Sequence, residues 1–186
     1  MSKRQRRTQP LPLLILVDIS GSMERYARLL LAFLHQATQH TPRKVYAFGT
    51  HLTDLNKAFA HADTDRMLEA ANQQITDFAG GTHLGTALSR LRQQHARDLV
   101  GRRTVVLLIS DGLDTGHAEQ LDPELQWLKR HSRSLLWLNP LLRFEGYAPL
   151  ATGAGLLHRH AQGMLAIHNL ARLEDLAAAM AKLLKI

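Results

Sequence analysis

Short apolar runs alternate along almost the whole chain with stretches whose apolar positions recur at the helical period. The runs predict six strands, at Leu13–Asp18, Val45–Phe48, Leu52–Leu55, Thr104–Ser110, Ser134–Leu138 and Met164–Ile167. The fourth run is the most apolar, so we expect it near the centre of the sheet. Strands separated by helical crossovers are typical of a mostly parallel sheet with helices on both faces.

Six helices are predicted around these strands, at Glu24–His40, Asp65–Phe78, Leu84–Arg97, Ala118–His131, Pro149–His160 and Leu170–Leu184. Their apolar residues recur three or four positions apart, which places them on one face of a helix. Pro42 is expected to end the first helix, and Thr64 and Asn169 are candidate caps of two others. The sequence thus predicts an α/β fold with a doubly wound six-stranded sheet.

Length and composition are those of one ordinary globular domain, with 186 residues of which 45% are hydrophobic. We expect a basic tail over residues 1–10 and a domain over 11–186. No apolar run reaches the ~20 residues that span a bilayer, and the basic start lacks a signal-peptide cleavage site. We therefore expect a cytoplasmic protein without a membrane span. The absence of cysteine excludes disulfides and thiolate zinc sites.

The net charge of +7 comes from basic residues scattered over the tail, the helices and the loops. No RNA-recognition, zinc-finger or basic-zipper motif accompanies them, and aromatic residues make up only 5% of the chain. A solvated basic surface is the favoured interpretation. Attraction toward an acidic protein partner or a polyanion is the functional alternative, and nucleic acid is not an expected partner.

Candidate chemistry begins where the first strand ends. Asp18, Ser20 and Ser22 stand at alternate positions, so their side chains can converge, and Gly21 permits the turn between them. Carboxylate and hydroxyl oxygens are hard ligands that suit Mg²⁺ or a similar cation.

Two later loops carry further oxygen groups of the same kinds, a hydroxyl and a carboxylate. Gly80-Gly81-Thr82 presents a hydroxyl on a tight turn, and Ser110-Asp111-Gly112 places a second carboxylate after the most apolar strand. A cation between Asp18 and Asp111 would relieve the repulsion of the two carboxylates. Turn and cap formation is the alternative role for each residue taken singly, but it explains the whole set poorly.

Asp-x-Ser-Gly-Ser, Gly-Gly-Thr and Ser-Asp-Gly, in this order, resemble the metal-ion-dependent adhesion site (MIDAS) of a von Willebrand factor A (VWA) domain. Four stretches resemble the CoxE-like branch of these domains: Met23–Arg28, Phe48–Thr53, Gly80–Gly85 and Trp137–Leu141. The resemblance implies a Rossmann-like VWA fold with a short antiparallel edge strand. It also implies metal ligands at five positions: Asp18, Ser20, Ser22, Thr82 and Asp111.

The function implied by the resemblance is protein binding without catalysis. Mg²⁺, or Mn²⁺ or Ca²⁺ in its place, would be held at the MIDAS, and an acidic side chain of the partner would complete its coordination. CoxE-like proteins resemble chaperone-like partners of MoxR-type AAA+ ATPases that mature or remodel metalloenzymes such as a molybdenum-containing carbon monoxide dehydrogenase. Four residues beside the motifs are candidate partner contacts, although solvated loop and cap roles are the alternative: Glu24, Arg25, His83 and Asp114.

A metal-dependent phosphohydrolase with Asp18 as its nucleophile is the competing function. Asp-x-Ser instead of Asp-x-Asp, and the lack of a lysine beside these loops, argue against it. His158-Arg159-His160 offers too few ligands for a transition metal. Gly153-Ala154-Gly155 lacks the third glycine of a dinucleotide loop, and no P-loop motif is present, so any ATP hydrolysis belongs to another chain.

Overall fold

The computed structural model describes residues 9–76, 80–113, 116–140 and 152–166. Within these ranges six strands form one sheet: β1 (Leu13–Asp18), β2 (Arg43–Phe48), β3 (Leu52–Asp54), β4 (Val105–Ile109), β5 (Ser134–Asn139) and β6 (Gly163–Ala166). Their order across the sheet is β3-β2-β1-β4-β5-β6. All neighbours pair in parallel except β2 and β3, which are antiparallel. The predicted fold class, the antiparallel edge strand and the central position of the fourth strand are confirmed.

The helices are α1 (Glu24–Ala37), α2 (Asn56–Phe59), α3 (Thr64–Gln74), α4 (Leu84–Leu99), α5 (Ala118–His131) and α6 (Thr152–His160). A 3₁₀ turn, Gly21–Met23, leads into α1. Asp63, rather than the predicted Thr64, caps α3, since its carboxylate accepts from the Arg66 N–H at 2.9 Å. The predicted helix Leu170–Leu184 and its cap Asn169 lie outside the described residues, as do Phe78, Pro149 and Ile167.

The first helix ends three residues earlier than the sequence predicts. The Thr38 hydroxyl and the Thr38 N–H both donate to the carbonyl of Leu34, at 2.5 and 3.1 Å. A hydroxyl that bonds back to the preceding turn competes with continuation of the helix. Pro42 then follows in the connection to β2, so the helix cannot resume.

Both faces of the sheet are covered, and every residue of β1 and β4 is buried. Ile15 and Val17 face the layer of α1, α2 and α3. Leu14 and Leu16 face the layer of α4, α5 and α6. This alternation explains why the central strands are continuous apolar runs, since a strand covered on both sides has no solvent-facing position. Among the helices described, none has the length and apolar character needed to cross a bilayer.

The parallel strands give the sheet two functionally different edges. The carboxyl rim holds the loops that follow strand ends, at 18–22 and 110–113, together with loop 80–83. The amino rim holds the segments that enter the strands, at 12–13, 42–44 and 100–104. In open α/β sheets ligands bind outside the carboxyl ends of the strands, so the carboxyl rim is where the sequence motifs should meet.

Candidate metal centre

Asp18 ends β1 and is the point at which the three motifs meet. Its side chain is 0% exposed. One carboxylate oxygen, Oδ1, accepts from the Ser20 N–H at 2.9 Å and from the Thr82 hydroxyl at 3.4 Å. The other, Oδ2, accepts from the Ser110 hydroxyl at 2.7 Å. One buried carboxylate therefore joins groups from all three loops.

The first loop supplies a pair of hydroxyls beside this carboxylate. The Oγ atoms of Ser20 and Ser22 are 3.2 Å apart, and the Met23 N–H donates to the Ser20 carbonyl at 2.9 Å, which closes the 3₁₀ turn. Ser20 is buried, whereas Ser22 is exposed. The hydroxyl pair thus extends from the buried carboxylate to the protein surface.

The second loop is fixed to the first and to the neighbouring turn by backbone hydrogen bonds. The Gly21 N–H donates to the Gly80 carbonyl at 3.2 Å, and the His83 N–H donates to the Gly49 carbonyl at 2.9 Å. Thr82 lies between these two anchors and is 2% exposed. Its hydroxyl is therefore placed beside Asp18 by the backbone of three separate turns.

The third loop turns sharply after β4. The Ser110 Oγ accepts from the Gly112 N–H at 3.0 Å, and Asp111 Oδ1 accepts from the Leu113 N–H at 3.0 Å. Gly112 has a φ of 76°, and a Cβ there would lie 2.7 Å from the Cβ of Ala154. Only glycine fits both this φ and this contact, and the turn leaves Asp111 buried at the carboxyl rim.

Trp137 supports the third loop from β5, a role that the sequence did not predict. Its indole N–H donates to the Ser110 carbonyl at 2.8 Å, and the ring is fully buried. The available signal was weak: a buried tryptophan N–H usually finds an acceptor, but nothing in the sequence identifies Ser110 as that acceptor.

The pKa of Asp18 is raised above its ordinary value of 3.8, first because burial disfavours the charged form. Hydrogen bonds from Ser20 and Ser110 lower it, and the negative charge of Asp111 raises it further. The two carboxylates are thus close enough to repel each other. A divalent cation would relieve both the burial of charge and this repulsion.

The donor set fits a hard cation. All five predicted positions lie at the carboxyl rim and present two carboxylates and three hydroxyls. Within the described ranges no cluster of three or more His, Cys, Asp or Glu side chains could hold a metal. A cation held here would therefore need the hydroxyls to complete its coordination shell, and oxygen ligands suit Mg²⁺, Mn²⁺ or Ca²⁺.

Three of the four predicted partner contacts are exposed beside these loops: Glu24 and Arg25 at the start of α1, and His83 after Thr82. Glu24 also lines a cavity of about 250 Å³ between α1 and α3. Asp114 lies outside the described residues.

The other candidate motifs do not form sites. His158 is exposed, whereas His160 is buried and pairs with Asp122 through Nε2 and Oδ1 at 2.5 Å. These imidazoles therefore lie on different sides of α6. Gly153 and Gly155 lie within the same helix, which excludes a phosphate-binding loop there.

Comparison with known families shows which family the chain belongs to. The sequence matches the family described as "VWA domain containing CoxE-like protein" over residues 1–173. The chain belongs to this family. A search of curated proteins found no match.

Solved structures agree with a VWA fold. A von Willebrand factor type A protein from Catenulispora acidiphila is 18% identical with a TM-score of 0.66, and the alignment covers 94% of this chain and 42% of that one. BatB, a conserved hypothetical protein from Bacteroides thetaiotaomicron, is also 18% identical, with a TM-score of 0.55 and coverages of 92% and 99%.

Proximal thread matrix protein 1 from the mussel byssus, solved with a zinc-occupied MIDAS motif, is 14% identical with a TM-score of 0.61. The alignment covers 92% of this VWA chain and 47% of the mussel protein. The chain thus spans less than half the length of several of the structures it matches. At these identities the likeness establishes the fold, and VWA domains of this fold are typically interaction modules without catalytic activity.

Proposed function

We propose that this VWA domain is a metal-ion-dependent protein-binding module. Asp18, Ser20, Ser22, Thr82 and Asp111 would hold Mg²⁺ or a similar divalent cation, directly or through water. The cation supplies a positive centre with an open position that accepts an acidic side chain of a partner protein. Mn²⁺, Ca²⁺ and Zn²⁺ are the other candidate ions, the last because zinc occupies the MIDAS of the mussel protein.

The observation that carries the proposal is the buried carboxylate of Asp18, bonded to hydroxyls of two other loops, with Asp111 close by. Such an arrangement is costly without a cation, because burial and the second carboxylate both oppose ionisation. Two carboxylates balance a divalent charge, and neutral hydroxyls at the other positions leave the ion attractive to an incoming anion.

The partner surface would surround the metal. Glu24, Arg25 and His83 are exposed next to the three loops, and we include Asp114 from its place in the sequence three residues after Asp111. A partner that donates one carboxylate to the metal could contact these side chains at the same time. Arg25 and Glu24 carry opposite charges, which would select the orientation of the bound segment.

We further propose a MoxR-type AAA+ ATPase as the partner and a metalloenzyme, such as a molybdenum-containing carbon monoxide dehydrogenase, as the client, in the cytoplasm. Membership in the CoxE-like family supports this proposal. The ATPase would supply the energy of remodelling, and the VWA domain would supply reversible attachment. A carboxylate–metal contact suits that task because it forms and breaks without covalent chemistry.

The first test measures metal binding. At about a hundredfold excess of Mg²⁺ over its Kd, we expect stabilisation by about 2.7 kcal/mol, which raises the Tm by roughly 5–10 °C for a domain of this size. Asp18→Ala and Asp111→Ala should remove the increase. Asp98→Ala, which removes an exposed carboxylate from the amino rim, is the matched control and should retain it. An unchanged response in the first two variants would contradict the proposed ligands.

The second test measures partner binding. The protein purified from its native cell should retain a MoxR-type ATPase in Mg²⁺ and release it in EDTA. Asp18→Ala should behave in Mg²⁺ as the unchanged protein does in EDTA, while Asp65→Ala, at an exposed position of α3, should retain the partner. Equal recovery of the ATPase with and without EDTA would refute a metal-bridged contact but leave metal binding itself intact.

The hydrolase alternative has its own measurement. A phosphohydrolase would turn over a generic phosphoester in the presence of Mg²⁺ and lose this activity in Asp18→Asn. We expect no turnover above that of the variant. Sustained turnover by the wild-type protein that is abolished in Asp18→Asn would show that the protein is a hydrolase rather than a binding module.

A further inference from the structure

A groove opens on the amino rim of the sheet, opposite the metal centre. It encloses about 580 Å³ between the loop 100–104 and the start of β2, with Pro12 and Leu13 between these walls. Since β1 separates the two rims by six residues, the groove lies roughly 20 Å from Asp18. It therefore cannot belong to the metal centre.

The groove is strongly basic. Lys44, Arg97, Arg102 and Arg103 line it and are exposed, and Asp98 is the one acidic residue that lines it. The two ion pairs found among the described residues, Arg92–Glu124 and His160–Asp122, lie elsewhere. Four exposed cations thus surround this groove against a single carboxylate.

Stabilisation of a helix end accounts for only one of these basic residues. Arg97 lies in the last turn of α4, where a cation stabilises the partial negative charge of the helix end. Lys44 lies in β2, and Arg102 and Arg103 lie in a loop, so none of these three has that role. Arg43 also lines the groove, but its guanidinium donates to the carbonyls of His35 and Phe59 at 2.8 and 2.9 Å, which identifies it as structural.

The loop that carries the two arginines is held in one conformation. The Gly101 N–H donates to the Thr104 Oγ1 at 3.0 Å, and the Thr104 N–H donates back to the Gly101 carbonyl at 2.9 Å. Arg102 and Arg103 occupy the two central positions of this closed turn. The Arg103 guanidinium also donates to the Gln9 carbonyl at 3.2 Å. Fixing these charges in advance lowers the entropy cost of binding an anionic partner.

Apolar groups lie between the charges. Pro12 and Val100 are partly exposed in the groove and Pro42 is exposed, whereas no aromatic residue lines it. Single-stranded nucleic acids are typically held by aromatic stacking platforms in addition to basic residues. A basic rim around aliphatic and proline surface is better matched to an acidic peptide that also carries aliphatic side chains.

We propose that the amino-rim groove is a second docking site, which binds an extended acidic segment of a partner protein with aliphatic residues among its carboxylates. This chain supplies no such segment from the ranges 1–8, 141–151 and 167–186, which together contain only three acidic residues: Glu145, Glu174 and Asp175. The site goes beyond the metal-dependent function and stands whether or not that function is correct.

The test uses a fluorescently labelled peptide rich in glutamate with interspersed leucines, and measures anisotropy in EDTA so that no metal can capture its carboxylates. Arg102→Glu combined with Arg103→Glu should weaken binding roughly tenfold at low salt. Arg66→Glu combined with Arg90→Glu changes net charge equally at exposed positions of α3 and α4 and should change binding less than twofold. Lys44→Glu is a second groove variant, should the double variant fail to fold.

The peptide with serine in place of leucine should bind several-fold more weakly, because it cannot use the apolar wall. Equal losses in the groove and control variants would overturn the proposal in favour of nonspecific attraction to net charge. Equal affinity for the serine peptide would overturn it as well. A single-stranded oligonucleotide of the same charge that binds more tightly, with the same dependence on Arg102 and Arg103, would identify a nucleic-acid site instead.

Discussion

The two rims of the sheet are ends of the same strands, yet they use polar residues in opposite ways. At the carboxyl rim the polar groups are buried and bonded to one another, as in Asp18, Thr82 and Ser110. At the amino rim the charges of Lys44, Arg97 and Arg102 are exposed to water. The carboxyl rim gathers carboxylates and hydroxyls around Asp18, while the amino rim distributes positive charges around an open groove.

The contrast separates two properties of the domain. The carboxyl rim can provide binding specificity, whereas the amino rim can provide electrostatic attraction. Buried polar groups interact strongly at short range and depend on geometry, so small displacements should abolish their function. Exposed charges act over about 8–10 Å at physiological ionic strength and depend little on individual contacts. We therefore expect the carboxyl rim to respond to single-atom changes and pH, and the amino rim to respond to salt.

The largest expected effect is a difference in stability between two glycine-to-alanine variants, one at each rim. Gly112→Ala forces a side chain into a φ of 76° and to 2.7 Å from Ala154, and we expect a loss of about 2–5 kcal/mol. Gly101→Ala, whose added Cβ meets nothing nearer than 3.9 Å, should change stability by less than about 0.5 kcal/mol. Urea unfolding of both variants measures the difference.

A similar free energy of unfolding for the two glycine variants would show that the carboxyl rim tolerates displacement. The claim of a geometrically fixed metal site would then fail. Mg²⁺ titration of folded Gly112→Ala adds a second readout, because a displaced Asp111 should weaken metal binding even where the fold survives.

The next largest effect concerns the indole that supports the third loop. Trp137→Phe removes the hydrogen bond to the Ser110 carbonyl and leaves that buried acceptor without its donor, which costs about 1–3 kcal/mol. Trp127→Phe, at a half-buried position of α5, is the matched control with an expected loss below about 0.5 kcal/mol. Thermal unfolding measures stability, and Mg²⁺ affinity should fall in the first variant alone.

The fold could be predicted largely from the sequence because its strongest signals are local. Residues 13–17 and the strand Val105–Ile109 are continuously apolar, as is typical of strands buried on both faces. The helix Asn56–Phe59 was not predicted from the sequence, because four residues are too few to display a helical period. The cap at Asp63 was placed one residue late because Thr64, also a good capping residue, stands beside it.

The grouping of the candidate ligands was also predictable, since loops that follow parallel strands meet at one rim. Asp18, Thr82 and Asp111 are accordingly found together. The supports of the site could not be predicted in the same way. Contacts between Trp137 and Ser110, or between Gly112 and Ala154, join distant parts of the chain, and one sequence contains no signal for such pairs.

A smaller effect follows from the raised pKa of Asp18. Below pH 3.8 the carboxyl is protonated in both the folded and unfolded chain. As pH rises above 3.8, the unfolded chain loses this proton first, so the metal-free protein loses stability until the folded carboxyl also ionises. Asp18→Asn should remove this dependence and stabilise the protein in EDTA at neutral pH by about 1 kcal/mol.

Mg²⁺ should reverse the sign of this dependence, because it binds the ionised carboxylate and competes with the proton. Its stabilising effect should therefore increase with pH over the same window in the unchanged protein and vanish in Asp18→Asn. Subtracting the free energy of unfolding of Asp18→Asn from that of the wild-type protein at each pH removes the contributions of the other carboxylates. A variant less stable than the wild-type protein in EDTA would indicate that burial does not penalise this charge.

The smallest expected effect belongs to the amino rim. Arg102→Gln removes one of the four exposed positive charges around the groove, so we expect stabilisation by about 0.2–0.5 kcal/mol at low salt. Added salt should erase the gain, because it screens exposed charges within a Debye length. Arg66→Gln on α3, away from the groove, should gain less. If neither salt nor Arg102→Gln altered stability, the arginines would stand too far apart in solution to repel, and the groove would lack the concentrated positive charge that separates it from the opposite rim.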